Sequence, residues 1–376
     1  MTTSSRSPFG RLFRGETAVD FYGRRRRGFT VSLVLLVVSL VSLFTRGLEL
    51  GLDFEGGVAW QVPATATMDV DVARDVLRDN GLDPANAKIQ KLSNASEETV
   101  RIQVADQPAD VTEAVQNALA TTAGVASADV SVTSVSSSWG RAITEKAVRA
   151  LVIFLVLVTI YISWRFEWRM ALAAIVAMAH DVIISVGVYS VLQFEVTPAT
   201  VVAFLTILGY SLYDTIVVFD KIQDNVKHFA GTRMQIADIV NVSTNQVLMR
   251  SINTSISSLL PVLSLLILGS GVFGAVTLRE FAIALLVGML TGAYSSLFVA
   301  TPLVALLKRR EAKFASLVGP HSTGEALRTM VVSGLPSGAR AARRVEATEG
   351  VPMAGRAESP TAVLTHPPRP RKKRRR

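Results

Sequence analysis

The chain has 376 residues, a formal net charge of +9 at pH 7 and no cysteine. A sequence without cysteine excludes disulfides, thiolate metal sites and cysteine nucleophiles. Apolar residues make up 49% of the chain and are gathered into long runs, a pattern that excludes a soluble globular protein.

Six apolar runs have, with their neutral flanks, about the 17–25 residues needed to cross a hydrocarbon layer about 30 Å thick. The sequence therefore predicts a polytopic α-helical membrane protein with six transmembrane helices. The runs are Phe29–Phe44, Val148–Tyr161, Ala171–Leu192, Thr200–Phe219, Ile252–Leu268 and Phe281–Leu307. The predicted regions are a basic N-terminus (1–27), the first helix (28–45), a domain (46–141), helices two to six (142–310) and a disordered basic tail (311–376).

Clusters of lysine and arginine lie beside the runs at Arg24–Arg27, Arg165 and Arg169, Lys221–Arg233, and Lys308–Arg310, and all four fall on the same side. The positive-inside rule predicts that this side is cytoplasmic, with both termini. Residues 46–141 then lie outside, and their seven basic and fourteen acidic residues give a net charge of −7. The first run is predicted to be a retained signal anchor, because its preceding segment is long and no A-x-A cleavage site follows.

The outside segment alternates between strand and helix patterns. Strands are predicted at Val58–Val62, Ala87–Leu92, Val100–Val104 and Asp129–Val135, and helices at Val70–Asn80 and Ala109–Thr122. The order β-α-β-β-α-β predicts an extracytoplasmic α+β domain of ferredoxin-like fold. It contains no histidine and no pattern of an active site, which favours a module that contacts a partner.

Asp214 is the one charged residue inside the fourth run. A carboxylate at that depth costs roughly 2.5–3.5 kcal/mol on insertion scales, so it needs a partner or a function. Arg250, at the start of the fifth run, is the expected partner, with Tyr210 and Asn253 on the same helical faces. We interpret these residues as a proton pathway; a purely structural ion pair, or an Asp214 that reaches the cytoplasmic surface, is the alternative.

Two further patterns lie within the runs. His180 and Asp181 fall in the middle of the third run, where they either belong to the proton pathway or form a hydrogen bond that fixes the helix. Gly288, Gly292 and Ser296 recur every four residues in the sixth run, which predicts close helix packing.

Enzymatic patterns are weak or missing from the sequence. Residues 269–274 match G-x-G-x-x-G but follow a membrane helix, and a dinucleotide site requires a preceding strand. The sequence has no Walker A loop, no metal-ligand cluster and no Ser/His/Asp pattern. We therefore expect no enzyme activity, no cofactor and no metal, and an energy source in a partner or in the membrane gradient.

Several motifs together resemble the SecF family of bacterial protein-export subunits. They are Gly51-Leu52-Asp53-Phe54-Glu55-Gly56-Gly57, Ala179-His180-Asp181-Val182, the segment from Gly209 to Ile222, Asn245-Gln246 leading to Arg250, and the segment from Gly292 to Ala300. The resemblance covers roughly residues 20–310. Tyr213 stands where the family commonly has Asn, and Met249-Arg250-Ser251 replaces Ser-Arg-Thr.

The resemblance implies a resistance–nodulation–division fold that works with a SecD partner in the bacterial cell membrane. It further implies a proton-driven pull on unfolded polypeptide leaving the SecYEG channel, which is served by SecA and in some cases YajC. Asp214 would be the titrating acid and Arg250 its counter-charge. Asp53, Phe54, Gly56 and Gly57 would form the junction between the outside domain and the first helix.

Two other functions fit the pattern less well. A small-molecule efflux subunit of the same superfamily would have bulky outside domains in both halves of a longer chain. A passive scaffold of the translocon would bind the same partners without ion flux, and loss of proton dependence on changing Asp214 separates it from a motor.

The tail is rich in Ala, Gly, Pro, Ser and Arg and ends in the basic block Arg369–Arg376. Such a block is typical of contact with anionic lipid, at about 1 kcal/mol per basic residue near the surface. Ribosomal RNA is the weaker alternative, and we expect no nucleic-acid partner.

Overall fold

Long apolar helices dominate the fold, because a chain in hydrocarbon must satisfy its backbone hydrogen bonds internally. A computed structural model describes residues 17–65, 67–93, 98–272, 276–317 and 319–334. The first membrane helix, α1 (Arg25–Thr45), leads to a two-residue strand, β1 (Glu49–Leu50), and a one-turn helix, α2 (Leu52–Glu55).

An α+β domain follows α2. Its elements are β2 (Gly57–Pro63), α3 (Val70–Asp79), β3 (Lys88–Ser93), β4 (Glu98–Val104), α4 (Ala109–Ala123) and β5 (Ser131–Val135). The sheet is antiparallel with the order β3-β4-β2-β5, which is the ferredoxin-like topology. The structure thus confirms the predicted β-α-β-β-α-β domain, with element ends shifted by one or two residues.

Local sequence explains why these elements form. On β2, Val58, Trp60 and Val62 alternate onto the face covered by the two helices and are fully buried. Asp69 caps α3 by accepting hydrogen bonds from two backbone N–H groups of its first turn. Gly124 ends α4 with a left-handed backbone at φ +69°.

The remaining membrane helices follow in chain order. They are α5 (Ser137–Arg165), α6 (Trp168–Leu192), α7 (Pro198–His228), α8 (Ile236–Ser264) with the π-helical extension Leu265–Val272, α9 (Val276–Ser295), the π-helical turn Ser296–Ala300 and α10 (Thr301–Lys308). A short strand, β6 (Glu195–Val196), lies between α6 and α7 and pairs in parallel with β1. Among the described residues, six helical segments are long and apolar enough to cross a membrane, which confirms the predicted number.

The helices bury their small residues against each other and leave large apolar ones outside. Helix α1 presents Leu33, and α5 presents Leu157, each 61% exposed. Apolar faces of this extent on long helices require a covering of lipid or of another membrane protein.

Charged pairs join the loops at the end of the bundle away from the domain. Arg165 pairs with Asp220, and the buried Lys308 pairs with Glu167. These pairs fix the α5–α6 turn against the C-terminal half of α7 and the end of α10. The domain and the pair β1–β6 lie at the opposite end.

Helix α8 is longer than its apolar run. The run predicts a start at Ile252, whereas the helix begins at Ile236. Its first turns are polar, but Asn241, Ser243 and Asn245 are fully buried because the N-terminal segment packs there: Val19 and Tyr22 donate their backbone N–H groups to Asn245 and Asn241. Tertiary hydrogen bonds thus stabilise these first turns of α8, which a prediction from hydropathy leaves out.

The predicted disorder of residues 311–376 is wrong for the first part of that segment. Two helices form there, α11 (Ala312–Ala315) and α12 (Gly324–Ser333). Leu327, Met330 and Val331 are buried against the membrane bundle, at a helical spacing that the Ala- and Arg-rich composition hides. Residues 335–376, with the basic block, lie outside the described residues, as do residues 273 and 274 of the G-x-G-x-x-G match.

Candidate functional site

Asp181 lies in the middle of α6 and is 1% exposed. Its Oδ1 lies 2.9 Å from Nδ1 of His180. Its Oδ2 accepts hydrogen bonds from Ser211 on α7 at 2.6 Å and from Ser295 on α9 at 2.7 Å. Three helices therefore meet at one buried carboxyl group.

Asp214 on α7 is the second buried carboxyl group, at 7% exposure. Its Oδ1 accepts a hydrogen bond from the Ser251 hydroxyl on α8 at 2.5 Å. Its Oδ2 is buried and has no hydrogen-bond partner among the described residues. The site therefore offers Asp214 one neutral donor.

The predicted direct ion pair between Asp214 and Arg250 is not formed among the described residues. Arg250 is exposed and donates from Nη2 to the hydroxyl of Tyr213 at 3.1 Å. Successive residues of a helix point about 100° apart, so Ser251, and not its neighbour Arg250, faces the carboxyl group of Asp214.

Tyr210 and Asn253 differ in their surroundings. The Tyr210 hydroxyl lies 2.9 Å from the carbonyl oxygen of Thr254 and 2.6 Å from the Ser258 hydroxyl, so it joins α7 to α8. Asn253 is exposed and follows Arg250 by three residues, which places both on one face of α8. We call Tyr213, Arg250 and Asn253 the exposed polar face.

The small residues of α9 pack against α7. A Cβ atom on Gly288 would lie 2.3 Å from the side chain of Ile207, and one on Gly292 would lie 2.8 Å from Cβ of Ser211. The Ser296 hydroxyl lies 2.9 Å from that of Thr215. This close approach brings Ser295 within reach of Asp181.

Sequence reasoning missed the hydroxyl groups that serve the two acids. Ser211, Ser251 and Ser295 read as ordinary small residues of membrane helices. Their positions could have identified two of them as partners of a buried acid, because Ser211 precedes Asp214 by three residues and Ser251 follows Arg250 directly.

The glycine motif after α1 forms a tight junction. Phe54 is buried and Asp53 is partly exposed on α2. Gly57 has φ +127°, and a Cβ atom there would lie 2.2 Å from the carbonyl oxygen of Val104. Gly56 has φ +78°, and a Cβ atom there would lie 2.6 Å from Cα of Ser137. The motif therefore joins the domain to the first residues of α5 as well as to α1.

A cluster of charges holds the domain sheet to the bundle. Glu195 on β6, with a side chain 9% exposed, lies 3.4 Å from Nη1 of Arg101 and 4.0 Å from Nζ of Lys88. Gln103 adds a hydrogen bond of 3.4 Å to Glu195, and Lys88 also pairs with Glu49 at 2.8 Å. We call this cluster the latch.

A second polar cluster lies at the other end of the bundle. Asp20 accepts hydrogen bonds from Asn241 Nδ2 at 2.8 Å and from the Gly23 N–H at 2.7 Å, and lies 2.9 Å from Nε2 of His321. Burial alone would raise the pKa of Asp20, but these hydrogen bonds, with the charge of His321, outweigh it and lower that pKa. The cluster links the N-terminal segment to the segment before α12.

Among the described residues, no group of three or more His, Cys, Asp or Glu side chains is placed to hold a metal ion.

Comparison with known proteins gives one consistent family. Residues 114–310 match the family model described as protein export membrane protein SecD/SecF, C-terminal, and residues 41–62 match the SecD/SecF GG motif. The chain is 42% identical over 308 residues to protein translocase subunit SecF of Streptomyces coelicolor, a match that covers 82% of this chain and 81% of that protein. It is 41% identical over 323 residues to SecF of Mycobacterium tuberculosis, covering 82% of this chain and 73% of that protein.

The fold also matches a solved structure. The crystal structure of SecDF, a translocon-associated membrane protein from Thermus thermophilus, superposes with a TM-score of 0.70 and 33% identity over 79% of this chain. The match covers 39% of the SecDF chain, so this chain spans about two fifths of the solved protein.

Proposed function

We propose, from the premise that this chain belongs to the SecF family of protein translocase subunits, that it uses the proton gradient to promote polypeptide export. The observation that carries the proposal is Asp214. It is buried midway along a membrane helix, has one neutral donor in Ser251 and leaves Oδ2 without a partner. A buried carboxyl group without a direct ion pair is not held firmly in its ionised form, so it can gain and lose a proton.

A SecD partner is supported by the exposed polar face. Arg250 lies in the middle of α8, where an exposed guanidinium in contact with lipid is costly. A second membrane subunit covering this face would shield Arg250 and bring new groups beside Asp214. Because this chain matches only part of the solved SecDF chain, we assign the remainder of that assembly to SecD.

We place the domain on the outer side of the cell membrane and both termini in the cytoplasm, because the basic flanks lie at the end away from the domain. The chain would then act where polypeptide leaves SecYEG, after translocation by SecA and with YajC where it is present. One charge moved through 100 mV supplies about 2.3 kcal/mol. A step of that size can shift the balance between two positions of the domain.

The test compares two carboxylates of α7. Asp214→Asn should lower export at least tenfold at normal protein level and abolish its dependence on the proton gradient. Asp220→Asn is the matched control, because Asp220 lies on the same helix with a side chain that is 47% exposed. Its export should stay within twofold of wild type. Export is measured in inverted vesicles with and without an uncoupler.

Wild-type export by Asp214→Asn would contradict the proton role. Crosslinking to SecD and SecYEG distinguishes the remaining interpretations. A passive scaffold keeps its partners and its export in Asp214→Asn, whereas a motor keeps its partners and loses export.

A further inference from the structure

A cleft opens between the sheet of the domain and the membrane bundle, beside the latch. Its volume is about 400 Å³. The sheet contributes residues of β3 and β4, and the bundle contributes the end of α6, the strand β6 and the start of α9. We call it the domain cleft, and its lining includes Gln90, Leu92, Arg101, Gln193, Glu195 and Arg279.

One wall of the domain cleft is the free edge of the sheet. Strand β3 stands at the end of the order β3-β4-β2-β5, and its successive residues Gln90, Lys91 and Leu92 all line the cleft. Alternate side chains of a strand point to opposite faces, so three successive residues on one wall indicate that the edge itself faces the cleft. Along this edge β3 pairs with no other strand among the described residues. Such an edge presents unpaired N–H and C=O groups to a further strand.

The opposite wall holds a strained residue. Gln193 ends α6 with φ +52°, and in the described part of the chain it is the one residue other than glycine with a positive φ. This left-handed conformation costs about 1–2 kcal/mol for most residues, and strain of this kind is typical of ligand-binding positions. The Gln193 Nε2 donates to the Ser190 carbonyl at 2.5 Å, which leaves Oε1 available as an acceptor.

The remaining polar groups suit a ligand of variable sequence. Gln90 has a side chain without a hydrogen-bond partner among the described residues, and Arg279 is exposed. Arg101 and Glu195 add one charge of each sign. The core of a permanent protein interface is depleted of charged residues. Amides and charges of both signs therefore favour a transient ligand that is itself rich in hydrogen-bonding groups.

The dimensions fit an extended chain. A residue of a strand takes up about 160 Å³, from a rise of about 3.3 Å, a strand spacing of about 4.8 Å and a sheet spacing of about 10 Å. A cleft of about 400 Å³ therefore accepts two or three residues of an added strand. Further residues of that strand can follow the edge of β3, which is six residues long.

We propose that the domain cleft binds an extended segment of polypeptide, which pairs with β3 as a fifth strand of the sheet. The inference rests on the proposed export function and assigns the place where this chain holds the exported polypeptide. Pairing through main-chain groups gives affinity that does not depend on side chains, as an export subunit requires. Because Glu195 and Arg101 belong to both the latch and the cleft, a movement of the domain would change its hold on the segment.

The experiment measures binding of a fluorescent, unfolded peptide of Ser, Thr, Val and Gln to the full chain with its SecD partner in lipid discs. A copy with the residues in reversed order should bind within threefold of the parent peptide. A copy that is N-methylated at every residue keeps its side chains and loses its backbone donors. It should bind at least tenfold more weakly, because two or three backbone hydrogen bonds are lost.

A pair of variants locates the site. Gln90→Trp places a bulky side chain in the cleft and should weaken binding of the parent peptide at least tenfold. Ser131→Trp is the matched control, because Ser131 is exposed on β5 at the opposite edge. It lies in the same row across the sheet as Gln90, through Arg101 and Gln61. Binding to this control should stay within twofold of wild type.

The outcomes separate this inference from the proposed function. No binding of the parent peptide, equal binding of the methylated copy, or wild-type binding by Gln90→Trp overturns the inference. A photocrosslinker at Lys91 that joins SecD in the resting complex also overturns it, since SecD would then occupy the edge. Wild-type export by Asp214→Asn contradicts the proton role, whether or not the peptide binds. Should Gln90→Trp fail to accumulate, the methylated peptide decides alone.

Discussion

Removing the charge of Glu195 should loosen the domain from the bundle. Glu195→Gln keeps the shape of the side chain and its place beside Gln103, but abolishes the attraction of Arg101 and Lys88. The strands β1 and β6 lie directly at this contact. We therefore expect their hydrogen bonds to open more often in the variant.

The size of the effect follows from distance and burial. Two unit charges 4 Å apart attract by about 4 kcal/mol at an effective dielectric constant of about 20. Exposed ion pairs contribute about 0.2–1 kcal/mol. The attraction within the latch lies between these two energies, because the side chain of Glu195 is 9% exposed and those of Arg101 and Lys88 are 22% and 23% exposed. We take a loss of about 2 kcal/mol, which is a roughly 30-fold change in an opening equilibrium.

Hydrogen exchange measures that opening directly. The Gly51 N–H donates to the Val196 carbonyl at 2.9 Å, and its exchange should accelerate roughly 30-fold in Glu195→Gln. Amides shared by β2 and β4 inside the domain should not change. Glu98→Gln is the control, because Glu98 pairs with Lys91 at a site about half exposed to solvent. Exchange of Gly51 within twofold of wild type in Glu195→Gln would refute the latch.

Three further predictions concern other parts of the chain. Asp20→Asn should lower the free energy of unfolding by about 1–2 kcal/mol at pH 7. Because the pKa of Asp20 is lowered in the fold, this difference from wild type should vanish as the pH falls through that pKa. Thermal melts at several pH values will test the prediction. Gly57→Ala should prevent accumulation of the protein, since its Cβ would lie 2.2 Å from a backbone oxygen. Gly81 has φ +78° and nothing within 4 Å of a Cβ atom, so Gly81→Ala should lose only about 1–2 kcal/mol of stability. Protein levels and thermal melts distinguish the two variants. Deleting Arg369–Arg376 should weaken binding to anionic vesicles by about 1 kcal/mol per basic residue and leave the melting temperature unchanged.

The domain was predictable because its signal is local. Apolar residues alternate along β2 and recur helically along α3, and each element ends at a turn residue such as Gly124. The membrane helices were predictable for a similar reason, since lipid imposes one requirement on every residue of a span. Helix α12 and the early turns of α8 were not, because their burial depends on segments distant in the sequence: Asn245 on α8 bonds to Val19, and Val331 on α12 accepts from Gln246 on α8.

The two buried acids show the limit of sequence reasoning at the site itself. A carboxylate in an apolar run stands out because its insertion is unfavourable, so Asp181 and Asp214 were identifiable. Their partners were not, because serine is common in membrane helices and its hydroxyl gains meaning only from packing. A guanidinium partner for Asp214 was the expected solution, yet Ser251 takes that place and Arg250 faces outward. Asp214 is bonded to a neutral hydroxyl group, and Arg250, exposed nearby, donates to Tyr213 and to no acid. Arg250 and Ser251, the donor to Asp214, are neighbouring residues of α8, so a subunit that covers the exposed polar face would change the surroundings of Arg250 and Asp214 at once.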